Sequence, residues 1–278
     1  MKADLHMHST FSDGHFTTFE LVDMAKKNGV EIIAITDHDT VGSLEDTIEY
    51  GKALGVRVVP AIELSTVEQQ KSVHVLGYFT DESYRSEELK SYFIDIKTKR
   101  EKRALKMLNN LREYSYIDLS YDRVASFAKG IIARPHIAAA IHEKYPEYEH
   151  DYIFKQFIGD DSKAYVPTVE LPVPEGIELL KRNHCVVVLA HPTLLKPHIK
   201  DTVLQYPYDG LEAKYPLNKV GEESFFIDFA QQNNQIITGG SDFHGIPRDT
   251  KHGQIGDVFI TGEHLQAFLS TLEKKSDK

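Results

Sequence analysis

The chain has 278 residues, 41% hydrophobic and 27% charged, which is the scale of one α/β domain with or without an insertion and argues against wholesale disorder. Its formal net charge of −10 argues against stable binding to long nucleic-acid duplexes, where affinity depends on many phosphate contacts, but not against a small phosphorylated substrate meeting a local site. Cys185 is the only cysteine, which excludes an intrachain disulfide and a thiolate metal cage and makes a reducing cytoplasm the expected compartment.

In chain order, Ala3–Leu5 begins a strand, and this N-terminus does not read as a signal peptide. No apolar run anywhere reaches the roughly 18–20 residues needed to cross a bilayer. Thr17 to Glu20 forms a capping box that opens a helix reaching Lys27, ended by Asn28-Gly29. "VEIIAIT" is a β-branched buried strand, "SLEDTIEYGKALG" a helix from Ser43 to Gly55, "VRVVPAIE" the next strand and "SVHVLGYF" another.

After residue 80 the pattern changes. One long helix carries Leu105, Leu108 and Leu111 at helical spacing, and shorter helical pieces follow, including "RPHIAAAIHEKY" with Pro135 in its first turn. Apart from "AYVP" there is no strand-like run, so residues 98–168 read as a helical insertion domain within a barrel domain of residues 1–97 and 169–278. The βα rhythm then returns: "PEGIELLKRN" helix, "CVVVLAHP" strand, "YDGLEAKY" strand, "GEESFFIDFAQQNN" helix, "QIITGGSDFHG" strand and exit loop, "IGDVFIT" a further strand, and a polar terminal helix. Seven or eight strands alternating with helices predict a parallel sheet, either a barrel or doubly wound.

The histidines and carboxylates fall at strand ends. His6 and His8 close the first strand; Asp37-His38-Asp39 follow the second; Glu63 follows the third and His74 lies in the fourth. His191 follows "VVVLA", Glu212 ends "DGLE", and Asp242 and His244 follow "QIITGGS". In a parallel barrel such ends meet on one face, where active sites are built. Packed together without a cation the carboxylates would repel one another, whereas neutral imidazole and carboxylate are natural ligands of divalent metals. The number of candidates is too large for one tetrahedral zinc and fits two or three ions sharing carboxylates.

The segments "DLHMHS", "SDG", "ITDHD", "AIE", "VHVLGY", "AHP" and "GGSDFHG", in this order, resemble the motifs of the PHP (polymerase and histidinol phosphatase) family. The resemblance implies a distorted (β/α)7 barrel with a helical insertion, holding three metal ions; the mixed N/O ligands suit Mn, Fe or Zn. The insertion is similar to the branch acting on nucleotide phosphates, which includes 3′,5′-nucleoside bisphosphate phosphatases and 5′-to-3′ exoribonucleases. By the resemblance, His6, His8, Glu63 and Asp242 would hold a first ion; Glu63, as a bridge, with His74 and His191 a second; and Asp13, His38 and His244 a third. Asp37 would orient a ligand histidine. Arg134 and His136, in "ARPHIA", would meet substrate phosphate at a helix start, against the alternative of a surface arginine and a capping histidine.

Asp37, Arg134, His136 and His191 are thus the candidate catalytic side chains, and Arg134, His136 and Lys214 the candidate substrate contacts. Glu212 reads as a structural strand-end residue, and Lys97–Arg103 as a solvated helix face. His15, His142, His150, His184, His198, His252 and His264 are taken as non-ligands. The function expected is a metal-dependent phosphoesterase acting on a small nucleotide or short 5′-phosphorylated RNA. A histidinol-phosphate phosphatase and a noncatalytic metal-binding module are the alternatives.

Overall fold

The computed structural model describes residues 1–42, 44–128, 132–166 and 171–276. Among them, seven strands form one sheet whose spatial order is the chain order: β1 (Ala3–Asp4), β2 (Ile32–Ile35), β3 (Arg57–Glu68), β4 (Lys71–Phe79), β5 (Cys185–Leu189), β6 (Gly210–Lys214) and β7 (Ile236–Gly239). The sheet curls until its edges meet. Leu5 N–H donates to the Gly239 carbonyl (3.2 Å), Asp242 N–H to that of His6 (2.8 Å) and His8 N–H to that of Phe243 (2.9 Å). The result is a nearly closed seven-stranded barrel, as the motifs imply.

The sheet is not wholly parallel. β1, β2 and β3 pair in parallel, as do β5, β6 and β7, but β4 runs antiparallel to both neighbours. Only Gln69 and Gln70 separate β3 from β4, and a parallel return needs a crossover of about a dozen residues. β3 also extends five residues past Glu63, where the sequence pattern ends it. The reversal leaves the site on one face, because the start of β4 lies beside the end of β3. "IGDVFIT" forms no strand: only Ile260 pairs, with Ala3, after a turn in which Gly256 has φ +87°.

The helices are α1 (Thr18–Lys27), α2 (Leu44–Leu54), α3 (Glu87–Ser115), α4 (Tyr121–Ala125), α5 (Arg134–Lys144), α6 (His150–Ile153), α7 (Val173–Arg182), α8 (Pro197–Leu204), α9 (Glu222–Gln232) and α10 (Gly262–Ser276). α1 has the expected capping box on Thr17 and Glu20. Along β3 and β4 the side chains of Val59, Ala61 and Glu63, and of Tyr78, Leu76 and His74, alternate onto the inner face. The candidate ligands Glu63 and His74 therefore lie over an apolar barrel interior. α10 closes the bottom, burying Leu265, Phe268 and Leu272 with Phe268 edge-on to Tyr78 at 5.0 Å; its polarity is one-sided.

A second apolar cluster, Ala104 to Ala164, belongs to the helical segment alone. α3 joins both: Leu89 packs in the barrel cluster and Met107, Leu108 and Leu111 in the second, so the helix runs unbroken through residue 98. The boundary at 168/169 and the helix start at Ser43 lie outside the described residues. "AYVP" is not a strand over its described residues Ala164–Val166.

Candidate metal centre

Glu63 is the centre of the site. It is 1% exposed, and five imidazole nitrogens surround its carboxylate: His6 Nε2 (3.3 Å), His8 Nε2 (3.2 Å) and His38 Nδ1 (3.2 Å) on Oε2, and His74 Nδ1 (2.9 Å) and His191 Nε2 (3.0 Å) on Oε1. Asp242 Oδ1 lies 3.3 Å from His6 Nε2 and 3.1 Å from His8 Nε2. Asp13 reaches His244 Nε2 (3.4 Å), His8 Nδ1 (3.7 Å) and His38 Nε2 (3.8 Å). The structure thus brings together all nine predicted ligand residues. The groupings that could each enclose one ion cut across the three sites implied by the family pattern: His38 belongs with Glu63 and His74 as well as with His8, Asp13 and His244, and His191 with His6 and Asp242.

Local backbone geometry places these groups. His191 and Asp242, and Asp39 beside His38, sit at positive φ (26°, 51° and 50°), a region that costs non-glycine residues roughly 1–3 kcal/mol and that concentrates at functional sites. Gly14 and Gly240 allow close packing of chain segments; a Cβ on Gly14 would fall 2.1 Å from the His8 carbonyl oxygen, and one on Gly240 2.4 Å from His6 Cβ.

Several neighbours orient the ligands. Glu212 is fully buried, meets His6 Nδ1 at 2.9 Å and accepts the His191 backbone N–H (2.8 Å), so it is more than a strand-end residue. Ligating imidazoles are commonly fixed in this way through their second nitrogen. Asp37 makes no hydrogen bond to a histidine among the described residues. It accepts from Ser9 N–H (2.8 Å), Ser9 Oγ (2.6 Å) and Ser12 Oγ (2.5 Å), and Ser12 Oγ in turn stands 3.4 Å from His8 Nδ1. Tyr215 donates its hydroxyl to Asp242 Oδ2 (2.8 Å), whereas Lys214 lies outside the cavity, 4.0 Å from Glu223.

The electrostatics call for a cation. Burial disfavours the carboxylate forms of Glu63, Asp13 and Asp242, yet the surrounding imidazoles, led by His38 for the first two and His6 for Asp242, hold all three well below their usual range. Burial also disfavours charge on His8, but hydrogen bonds to Asp242 and Glu63 push it up to about 10; on His38 burial dominates and pulls it down to about 3. Among the described residues, Asp13 Oδ1, Asp242 Oδ1, His38 Nδ1 and His74 Nδ1 are buried without a hydrogen-bond partner. Buried polar atoms are seldom left so, and convergent unpaired nitrogen and oxygen lone pairs fit divalent metal ions.

Four of the candidate ligands, Asp13, His38, His74 and His244, line a cavity of about 760 Å³, whose other walls come from the helical segment and the loop after β7. Arg134 lines it, with Nη1 2.5 Å from Asp160 Oδ1. His136 does not. Its Nδ1 accepts the Ala133 N–H at 2.9 Å, the capping role that was the alternative reading. Three residues were missed from sequence. Arg100 and Arg103, within the supposed solvated run, are 4% and 7% exposed and line the cavity. His252 lies tilted against His244, ring centroids 4.2 Å apart, stands 3.8 Å from Asp242 Oδ2, and forms a further possible ion group with both. His15, His142 and His150 also line the cavity but join none of the possible ion groups among the described residues.

The whole-chain comparisons agree with this architecture. The chain is 26% identical over 249 residues to a 5′-3′ exoribonuclease of Haemophilus influenzae, covering 87% of this chain and 90% of the relative. It is 28% identical over 250 residues to a phosphoribosyl 1,2-cyclic phosphate 1,2-diphosphodiesterase of Eggerthella lenta (88% and 95%). A 3′,5′-nucleoside bisphosphate phosphatase of Chromobacterium violaceum matches at 24% over 249 residues (87% and 86%). A crystal structure from Bifidobacterium adolescentis, of a protein assigned as a metal-dependent phosphoesterase, superposes with a TM-score of 0.84 at 28% identity, over 97% of this chain and 96% of that one. The PHP domain itself matches residues 4–161, more than half the chain, across the segments that carry Glu63 and five of the other candidate ligands. The chain belongs to the PHP domain family.

Proposed function

We propose that this chain is a metal-dependent phosphoesterase of nucleotides, releasing phosphate from 3′,5′-nucleoside bisphosphates or trimming short 5′-phosphorylated RNA from its 5′ end. One observation carries the reading: a carboxylate ringed by five imidazoles, flanked by Asp13 and Asp242, has His38 and His74 among those imidazoles, and these two line, with Asp13 and His244, the same cavity as Arg100, Arg103 and Arg134. Such a cavity is anion-seeking on one wall and cation-holding on the other. His6, His8, Asp13, His38, Glu63, His74, His191, Asp242 and His244 would hold two or three divalent ions, and the mixed N/O set suits Mn, Fe or Zn. Bound there, the ions supply Lewis acidity toward water and toward the phosphoryl oxygens.

The chain's own residues do the rest. Glu212 and Tyr215 keep His6 and Asp242 in fixed orientations, Arg134 meets phosphoryl oxygens, and the helical segment 98–168 walls the substrate and limits its length. Water adds to phosphorus as the ester oxygen departs with a proton, giving an alcohol and phosphate. The lone buried thiol suits the cytoplasm.

A second reading, diester hydrolysis on a phosphorylated ribose, is favoured by the Eggerthella relative, and the same cavity would take it. Both readings are tested by measuring product release from adenosine 3′,5′-bisphosphate, 5′-phosphorylated oligoribonucleotides, phosphoribosyl 1,2-cyclic phosphate and histidinol phosphate, with Mn²⁺ and with a chelator. Turnover of the first two, abolished by chelator and by Glu63→Gln, is the expected result. Cyclic-phosphate turnover alone selects the second reading, histidinol phosphate alone the histidinol phosphatase, and no turnover a noncatalytic module.

A further inference from the structure

The loop after β7 brings to the ligand cluster a histidine that the predicted ligand set does not use. Gly245 and Arg248, at φ +70° and +60°, turn the chain back on itself. Gly253 N–H then donates to the Ser241 carbonyl at 2.8 Å, so residues 246–252 leave and return beside the end of β7. The return sets the His252 ring against that of His244, tilted by 32°. Asp249 decides which nitrogen is free. Its carboxylate accepts from His252 Nδ1 at 2.5 Å and is itself held by the Lys251 N–H at 2.8 Å. The neutral ring then keeps its lone pair on Nε2, the nitrogen that faces Asp242. A histidine with its outer nitrogen fixed by a carboxylate is prepared as a metal ligand. His244 is set in the same way: Nδ1 donates to the Asp242 carbonyl (2.8 Å), and Nε2 is left toward Asp13 (3.4 Å).

At 3.8 Å, His252 Nε2 is too far from Asp242 Oδ2 for a hydrogen bond. Two ligand atoms that share an ion, each about 2.0–2.2 Å from it, stand roughly 3–4 Å apart, so the gap has the width that an ion needs. One ligand atom from each of Asp242, His244 and His252 lies within 4.8 Å of the others, and Asp242 Oδ1 and Asp13 Oδ1 are buried with no hydrogen-bond partner among the described residues. We infer that His252 is a further metal ligand, carried by a loop rather than a strand end, that joins Asp242 and His244 on one ion and fastens residues 246–252 over the cavity when that ion is bound. The inference rests on the metal-centre reading and on no particular substrate. The loop is tied on its far side by Lys251, whose Nζ meets Asp151 Oδ1 of α6 at 2.6 Å and lies 5.7 Å from the Phe154 ring centre. An exposed pair of this kind holds weakly, so a bond from His252 to a buried ion supplies the firmer anchor. Residues 246–252 all line the cavity, and loading the ion therefore completes that wall.

The test titrates the chelator-stripped chain with Co²⁺ against a competing chelator and follows the visible absorption of the bound ions. Two variants separate coordination from packing. His252→Ala removes the ring; His252→Phe keeps a ring against His244 but offers no nitrogen. The position is partly exposed, so neither variant should unfold the barrel. In both, one ion should bind about tenfold or more weakly with altered Co²⁺ absorption, while the other ions bind as in wild type. Amide exchange across residues 246–252 should slow on adding Mn²⁺ to wild type and not to His252→Phe. Wild-type affinity in His252→Phe would mean that the ring acts by packing, and weaker binding with unchanged absorption that it acts from outside the coordination sphere; either overturns the inference. Slowing by Mn²⁺ that survives in His252→Phe overturns the fastening of the loop. Failure of wild type to bind any divalent ion overturns the metal-centre reading and this inference with it, whereas equal binding by wild type and both variants overturns this inference alone.

Discussion

Asp242 shows how single contacts tune the centre. Its Oδ1 faces His6 and His8 without a donor, while Oδ2 accepts from Tyr215, whose ring lies 5.3 Å from that of His191. Tyr215→Phe removes that donor from a buried carboxylate and frees it to rotate. Losing such an outer contact typically costs about 10- to 100-fold in metal affinity. The expected outcome is a loss in that range by chelator competition with Mn²⁺, with secondary structure unchanged; unaltered affinity would deny Tyr215 an orienting role. Most candidate ligands were legible because they end, or closely follow, a strand-like run, although His74 lies within one and Asp13 was implied only by the family resemblance. Arg100 and Arg103 were not, because a dense charge run resembles a solvated face. Their signal lay in register: Ile96, Arg100, Arg103, Met107 and Leu111 recur at steps of three and four and form the buried stripe of α3. His252 gave no signal, since a loop has no periodicity to place a side chain.

Element geometry explains where the parallel-sheet expectation stopped. With β3 ended at Glu63, residues 64–71 separate it from "SVHVLGYF", but strand residues fill that gap and leave a two-residue turn. Gln69 and Gln70 both have positive φ, 46° and 64°, as type I′ hairpin turns require, although neither is the Asn or Gly such turns prefer. Left-handed backbone costs an ordinary residue roughly 1–2 kcal/mol. The double substitution Gln69→Asn with Gln70→Gly should therefore stabilise the protein by about 1 kcal/mol, partly offset by glycine's larger unfolded-state entropy. A denaturant midpoint that rises with an unchanged slope would bear this out; an unchanged or lower midpoint would mean that the turn is not strained. Because β4 carries His74 opposite Ser65 and two positions from Leu76, opposite Glu63, the pairing register also fixes that ligand. Elsewhere, caps and buried strand runs made α1, β2, β5 and β7 readable, since their signals are local.

At the scale of the whole molecule, the ligand cluster links metal binding, pH and stability. In protein stripped of metal, Asp13, Glu63 and Asp242 have depressed values, so their contribution is present above the ordinary 3.8–4.5 and is lost as pH falls through the lower folded-state values. His8 has the opposite sign. Raised from 6.5 to about 10, it contributes fully below 6.5 and loses that contribution as pH rises through about 10. Deprotonating it removes one of the counter-charges that His6, His191 and His244, also raised, share in supplying to the carboxylates, and stripped protein should weaken steadily over that window. Divalent ions replace the proton's charge and require neutral imidazole, so they bind more tightly as pH rises. The two trends compound: the gain in Tm on adding Mn²⁺ to stripped protein should be small near about pH 6 and grow toward about pH 8.5. Thermal melts at several pH values, with and without Mn²⁺, measure this directly. A gain that stayed constant or shrank with rising pH would mean that the protons on this cluster and the ions do not compete, and the imidazole–carboxylate ring around Glu63 could not be where the metal binds.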